Sequence, residues 1–438
     1  MTPPAVHLTE PAVTARPSLR PRIPSPSRRG AMLALALGGF GIGTTEFASM
    51  GLLPAMAAGT GVSEPVAGHF VSAYALGVVV GAPTIAALAA RVERRTLLIA
   101  LMATFVVGNL ATALAPGYES LLAARFLAGL PHGAYFGVAA LVAAHLAEPG
   151  KRAKAVATVM MGLSVANVVG VPATAFFGQM LGWRSAFVLV VIIGIVTLVA
   201  LARLVPPLAG VHVSNPVAEL GALSRVQVWM TLIFATVGFG GSFAVYTYIS
   251  STLTDVSGLP HAMVPVALML FGSGMILGNV VGGRIADNAV VPGLFGCMIA
   301  LICVLALFIV AAHNPVTALI VLFFIGMAVT AIFPAVQSRL MDAAGDAKTL
   351  ASTLIHGAFN LANAGGAWIG GVVIAAGYGY TAPAAVGALL GVAGLIVLTI
   401  AVLLDRRRRD ESAPGGCRFR REGRGREPGL SSALVACP

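Results

Sequence analysis

Charge is what this sequence has least of. Charged residues are 10% of the 438-residue chain, against about 25% in a soluble domain. Hydrophobic residues are 58% of it, and the mean hydropathy is +0.92. That balance excludes an ordinary soluble domain. Cysteine is scarce too, with four in all. Cys297 and Cys303 share one apolar segment and read as packing residues, while Cys417 and Cys437 lie in an Arg-rich tail. Neither a disulfide framework nor a metal-ligand spacing emerges from them. H-E-x-x-H, G-x-S-x-G and paired intramembrane acids are missing, which argues against an enzyme. The missing P-loop argues against a nucleotide-driven pump. No cofactor is implied.

What is present is apolar length. A span needs about 20 residues, and barrel strands are far shorter. On that measure the spans are 31–56, 65–90, 96–115, 120–146, 154–180 and 185–206, then 227–251, 262–288, 291–312, 315–341, 350–377 and 381–404. The chain thus reads as an all-α polytopic membrane protein. It divides into a disordered basic N-terminus (1–29), a first six-helix bundle (30–206), a connection (207–226), a second six-helix bundle (227–404) and a disordered Arg-rich tail (405–438). The N-terminus is not expected to be a cleavable signal, because the apolar stretch after it is long enough to span.

The net charge of +11 reports topology rather than nucleic acid. All of the 27 Lys and Arg except Arg125 and Arg184 fall in the two tails, in even-numbered connections or at the span ends that border them. The positive-inside rule then puts both termini in the cytoplasm, in agreement with an even number of spans. The tail can also attract anionic lipid, although a solvated appendage that sets topology is the plainer reading.

The two bundles are one unit written twice, at an offset of 196 or 197 residues. Gly41 and Gly43 fall on Gly238 and Gly240, and Gly77 and Gly81 on Gly274 and Gly278. Phe126, Gly129, Ala134 and Phe136 fall on Phe323, Gly326, Ala331 and Phe333. Ala166, Asn167 and Gly170 fall on Ala362, Asn363 and Gly366. Two membrane halves related in this way predict a transporter with its substrate site between them. The Gly pairs at small-xxx-small spacing predict close helix packing. Pro131 and Pro172 predict local bends.

Of the 16 Asp and Glu, Glu46 alone falls in mid-span. A charge there costs roughly 2.5–3.5 kcal/mol or more, so burial favours the neutral acid. Such a group can load a proton on one side and release it on the other, or bind a cationic substrate. A protonated glutamic acid in a helix–helix hydrogen bond is the structural alternative. Arg125 sits one turn inside the fourth span, on one face with Gly129 and His132. That face suits a wet cavity; snorkelling of Arg125 and a packing role for His132 are the alternatives. Glu46 falls on Phe243 and Arg125 on Leu322, so proton handling is expected in the first half alone. Candidates for a polar-aromatic substrate cavity are His132, Tyr135, Asn167, Ser242, Tyr246, His356, Asn360 and Asn363. Interhelical hydrogen bonding is their structural alternative.

The segments Gly43-Thr-Thr-Glu-Phe, Arg125-Phe-Leu-Ala-Gly-Leu-Pro-His-Gly-Ala-Tyr-Phe-Gly, Gly182-Trp-Arg and Phe243-Ala-Val-Tyr-Thr-Tyr-Ile resemble the major facilitator superfamily. Within it they look like the twelve-helix drug:proton antiporters, near bacterial sugar-efflux and chloramphenicol-efflux permeases. The resemblance runs from residue 30 to about 405. It implies two pseudo-symmetric six-helix bundles, alternating access, a small-molecule substrate, protons as coupling ion, a monomer and the bacterial cytoplasmic membrane. It implies a proton-transfer role for Arg125. It implies gating loops at Arg91, Glu93, Arg94 and Arg95, and at Gly283, Arg284 and Asp287. In the first loop Ala86 stands for the usual Gly, Ala90 for the Asp, and Glu93 for a Gly. The antiporter motif of the fifth helix is matched by Gly162, Gly170 and Pro172, with Val171 intervening before the proline.

Overall fold

A computed structural model describes residues 28–89, 91–148, 151–208, 221–345 and 348–412. Most of the two predicted disordered tails and of the connection 207–226, together with Ala90, Cys417 and Cys437, lie outside the described residues. Among the described residues twelve helices are long and apolar enough to cross a membrane. They are α1 Arg28–Gly51, α2 Glu64–Ile85, α3 Arg94–Leu114, α4 Tyr118–Leu146, α5 Lys154–Leu181 and α6 Trp183–Leu204 in the first half. The second half has α7 Val226–Thr247, α8 His261–Asn288, α9 Val290–Ala311, α10 Pro315–Ala344, α11 Leu354–Tyr378 and α12 Ala382–Arg407. They match the apolar runs of the sequence one for one.

Departures from the expected spans have local causes. The first run does not stay one helix to residue 56: it stops at Gly51 and restarts as Leu53–Thr60. Pro54 lies in the first turn of the restarted piece, where its missing N–H costs nothing. The last helix runs on to Ser412, past the expected end at 404. Arginine is a good helix former and is favoured at a helix C-terminus, so the run beginning at Arg406 extends the helix. Inside α5 a π-helical turn covers Ala166–Gly170, and Pro172 follows it directly. A π turn loosens the ladder where the proline supplies no donor.

The repeat recurs contact by contact. In the first half, a side chain at Gly77 would meet the Phe126 carbonyl, one at Gly81 the Leu130 carbonyl, and one at Gly129 the Tyr74 carbonyl. In the second half the same is true of Gly274 with Phe323, Gly278 with Met327, and Gly326 with Phe271. These are the same positions 197 residues on. Absent side chains therefore let α2 lie on α4, and α8 on α10, nearly backbone to backbone. The remaining pairings also repeat: α1 with α5 and α6, α7 with α11 and α12, α3 with α6, and α9 with α12. The halves meet where α2 packs on α11 and α5 packs on α8, two contacts exchanged by the same pseudo-symmetry.

Hydrogen bonds between the halves gather toward the end remote from the termini. Ser72 Oγ donates to the Ala364 carbonyl at 2.9 Å. Gln179 Nε2 donates to the His261 carbonyl at 2.9 Å. The Ser251 hydroxyl donates to the Glu64 carboxylate. Large apolar side chains such as Leu33, Val107, Met180, Ile192, Val310 and Leu389 point outward, as a lipid-facing surface requires.

Candidate functional site

The polar interior of the first half is built around Arg125. Its side chain is fully buried. Nη1 donates to Thr45 Oγ1 at 3.2 Å, and Nη2 donates to the Thr45 carbonyl at 3.2 Å. The guanidinium carbon lies 4.5 Å from the centre of the Tyr74 ring and 5.3 Å from that of Phe187. Hydrogen bonds from a charged donor contribute about 1.5–3 kcal/mol each, and a desolvated cation–π contact about 2. Together these offset an insertion cost of about 2.5–3.5 kcal/mol. Arg125 therefore does not snorkel; it is held inward by α1, α2 and α6.

Glu46 follows Thr45 directly and is 7% exposed. Among the described residues it is the one buried carboxylate. It forms no close ion pair with Arg125, yet the two charges are near enough to interact. The carboxyl is thus left free of a salt bridge that would lock it. Thr45 in turn donates its hydroxyl to Asn109 Oδ1 on α3 at 2.5 Å. Asn109 Nδ2 donates to the Phe105 carbonyl at 2.8 Å, which fixes how the amide faces. Tyr74 and His132 share a hydrogen bond of 3.1 Å between the hydroxyl and Nδ1.

Two side-chain atoms beside Thr45, Arg125 Nε and Ser49 Oγ, are buried without a hydrogen-bond partner. A helical serine commonly bonds the carbonyl four residues back. For Ser49 that is the Thr45 carbonyl, which already accepts from Arg125.

From His132 an aromatic path crosses to the second half. His132 lies 5.4 Å from Phe136, which stacks on His356 at 5.8 Å with an interplanar angle of 8°. Phe333 continues it, 6.3 Å from His356 and 4.9 Å from Phe359, and Phe359 meets Phe239 at 4.4 Å. A second bridge runs from Phe47 to Tyr246 at 5.7 Å, with Tyr246 stacked on Phe271 at 4.1 Å.

The other predicted cavity residues separate by what their polar atoms do. Asn363 has neither amide atom bonded, and Asn167 Oδ1, Asn360 Oδ1 and the Tyr246 hydroxyl are also buried without partners. An unmet buried polar atom costs about 1–3 kcal/mol, so these four want a water or a ligand. Ser242 donates to the Phe239 carbonyl at 2.7 Å within its own helix. Tyr135 donates to the Leu35 carbonyl at 3.0 Å, which places its hydroxyl between α4 and α1 rather than in an opening.

The loop residues stay within their halves. Glu93 caps α3, accepting from Arg95 N at 3.1 Å and Thr96 N at 2.7 Å, and it accepts from Leu208 N at 2.8 Å. Partial burial raises its pKa, but these hydrogen bonds outweigh that and hold it at about 2. Arg95 donates to the Ala202 carbonyl. Arg94 is buried and donates to the Ala89 carbonyl at 3.4 Å; Arg91 is exposed. In the second loop Arg284 and Asp287 are exposed, and Gly283 has open space around it. In α5, a side chain at Gly162 would strike the Ala36 carbonyl, and one at Gly170 the Thr44 hydroxyl, so both glycines seat α5 on α1. Pro172 is buried just after the π turn.

Sequence reasoning passed over Thr45, Tyr74 and Asn109. A lone asparagine in the middle of the span 96–115 is a signal that can find Asn109. Tyr74 carries no such mark, because its role depends on how α2 meets α4.

A family model described as Major Facilitator Superfamily matches residues 35–367. The chain is 42% identical over 369 residues to the inner membrane transport protein YdhP of Escherichia coli (strain K12), covering 84% of this chain and 94% of that protein. It is 30% identical over 367 residues to a chloramphenicol resistance protein of Streptomyces lividans, covering 83% and 94%. Among solved structures, a D-xylose-proton symporter overlays with a TM-score of 0.68 at 16% identity, covering 84% of this chain and 97% of that one. That last likeness is one of fold.

Proposed function

The chain belongs to the major facilitator superfamily, and from that premise we propose that it exports a small amphiphilic drug or sugar-like metabolite in exchange for protons. The observation that carries this reading is Glu46, a single buried carboxyl beside a buried arginine that does not clamp it. In the proposed cycle Glu46 takes a proton when the site faces outward. It gives the proton up when the site faces the cytoplasm, and substrate then binds from the cytoplasm or inner leaflet. Arg125 tunes Glu46 electrostatically. The bonds from Ser251 to Glu64 and from Ser72 to Ala364 act as an outer closure that breaks as the halves rock.

The substrate lies on the aromatic bridge between the halves. The free amide atoms of Asn167, Asn360 and Asn363 and the Tyr246 hydroxyl supply its hydrogen bonds. The protein works as a monomer in the bacterial inner membrane with both termini in the cytoplasm. The inner-membrane relative and the distribution of Lys and Arg support that placement, and the relative named for chloramphenicol resistance supports export. Uptake symport or uncoupled facilitation is the second reading; the Val171 that separates Gly170 from Pro172 leaves room for symport.

The test is uptake into everted membrane vesicles, across a panel of chloramphenicol-like drugs, pentoses and pentose oligomers. Proton-driven export predicts accumulation of at least one compound, lost on adding a protonophore. Accumulation in right-side-out vesicles instead establishes symport. Equilibration that ignores the protonophore establishes a facilitator.

A further inference from the structure

We infer that Asn109 and Thr45 are positioning residues that set the proton affinity of Glu46 by holding the Arg125 guanidinium in place. The inference rests on the reading of Glu46 as the coupling group. The geometry is a chain of three hydrogen bonds across three helices. Asn109 is fixed on α3 by its bond to the Phe105 carbonyl, which turns Oδ1 toward α1. The Thr45 hydroxyl has one proton, and it goes to Asn109 Oδ1. The oxygen's lone pairs are then left to accept from Arg125 Nη1. Without Asn109 the hydroxyl is free to turn its proton toward the cation, and in that rotamer one of the two bonds that hold Arg125 is lost. Thr45, Asn109 and Arg125 are all fully buried, so water does not easily replace the missing partner.

The titratable and charged groups around Glu46 are few. Arg125 and His132 come from α4, and Tyr74 comes from α2. The α3 and α6 helices present Asn109 and Phe187, which do not titrate, α5 presents Leu163, Ala166 and Gly170, which do not either, and from α7 Tyr246 meets the neighbouring Phe47. The position of one cation is therefore the main variable that acts on the carboxyl. The second half supports the assignment by contrast: the positions equivalent to Asn109 and Arg125 are Ala306 and Leu322. The amide and the arginine are present together or absent together.

The experiment is an infrared pH titration of the purified full-length protein, which needs no substrate. The protonated-carboxyl band that disappears in Glu46→Gln reports Glu46. Thr45→Val and Asn109→Leu are expected to move the midpoint of that band by about one pH unit, both in the same direction. The double variant should move it no further, because both changes break one chain. Thr45→Ser, which keeps the hydroxyl, should titrate like the unaltered protein. Thr45→Val is nearly isosteric, so it serves if Asn109→Leu fails to fold. Midpoints that coincide in all variants overturn the positioning role and leave the coupling reading standing. Additive shifts in the double variant also overturn it. A titrating band that Glu46→Gln does not remove overturns the coupling reading and this inference with it.

Discussion

The two halves share a backbone and differ in what fills it. The glycine contacts that set α2 on α4 are repeated at 197 residues' remove in α8 on α10. At the same offset Thr45, Glu46, Tyr74, Asn109, Arg125 and His132 become Ser242, Phe243, Phe271, Ala306, Leu322 and Val329. One side of the pseudo-symmetry carries a hydrogen-bonded, charged cluster; the other carries a nearly apolar set. π turns occur in both halves, at Thr252–Val256 and Ile374–Tyr378 in the second, but the one in α5 has no counterpart at the matching position. It interrupts α5 over Ala166–Gly170, while the matching stretch of α11, 362–366, is regular α-helix. The lesson is that close-packed small residues set the architecture, and polar chemistry is added to one copy without altering it.

This contrast can be broken from either side. The largest effect is expected from putting a charge into the apolar copy. Leu322 is fully buried, and Leu322→Arg finds no equivalent of Asn109 and no aspartate or glutamate in the matching place. An uncompensated buried charge costs about 3–5 kcal/mol, so the variant should fail to yield monodisperse protein. Recovery of a well-folded Leu322→Arg would show that the second half tolerates the charge and that the asymmetry carries no structural meaning. Next comes Arg125→Lys, which keeps the charge but not the forked donor. It cannot hold both the Thr45 hydroxyl and its carbonyl in the same geometry. Coupled transport should fall at least tenfold while folding is retained, and transport at the unaltered rate would remove Arg125 from the mechanism.

On the other side, Tyr246→Phe removes a hydroxyl that has no protein partner and keeps both ring contacts. Substrate affinity should weaken by up to about tenfold, the worth of one hydrogen bond, with proton coupling unchanged. A lost coupling ratio with intact affinity would put Tyr246 in the proton path instead. The smallest effect is expected at the loop. Glu93→Ala removes the cap of α3 and should cost about 1 kcal/mol of stability, read as a lower melting temperature in detergent at neutral pH. The folded carboxyl titrates at about 2, below its ordinary 4.5, so its stabilisation is fully present above pH 4.5 and is lost as the pH falls toward 2. The difference in melting between the two proteins should close over that interval.

Much of this is legible in the sequence. The twelve apolar runs, the offset and the isolation of Glu46 come straight from the spacing of residues. Span ends are less so, because the break at Gly51 depends on where Pro54 falls in a helical turn, and the extension to Ser412 on arginine's helix propensity. The cluster is half visible. Glu46 and Arg125 announce themselves as charges in apolar runs. Thr45 and Tyr74 are ordinary residues for a membrane helix, and only the crossing of α1, α2, α3 and α4 brings them to the guanidinium. Tyr135 illustrates the converse: it lies on the predicted cavity helix, yet its hydroxyl is spent on the Leu35 carbonyl.

The central claim is that proton handling resides in one carboxyl of the first half. Its most direct test is proton release on substrate addition, measured with purified protein in proteoliposomes, unaltered beside Glu46→Gln. The account predicts release by the unaltered protein and none by the variant, which should still bind substrate. Equal release by both, or transport by both without any proton dependence, would contradict it and leave Glu46 as a structural residue.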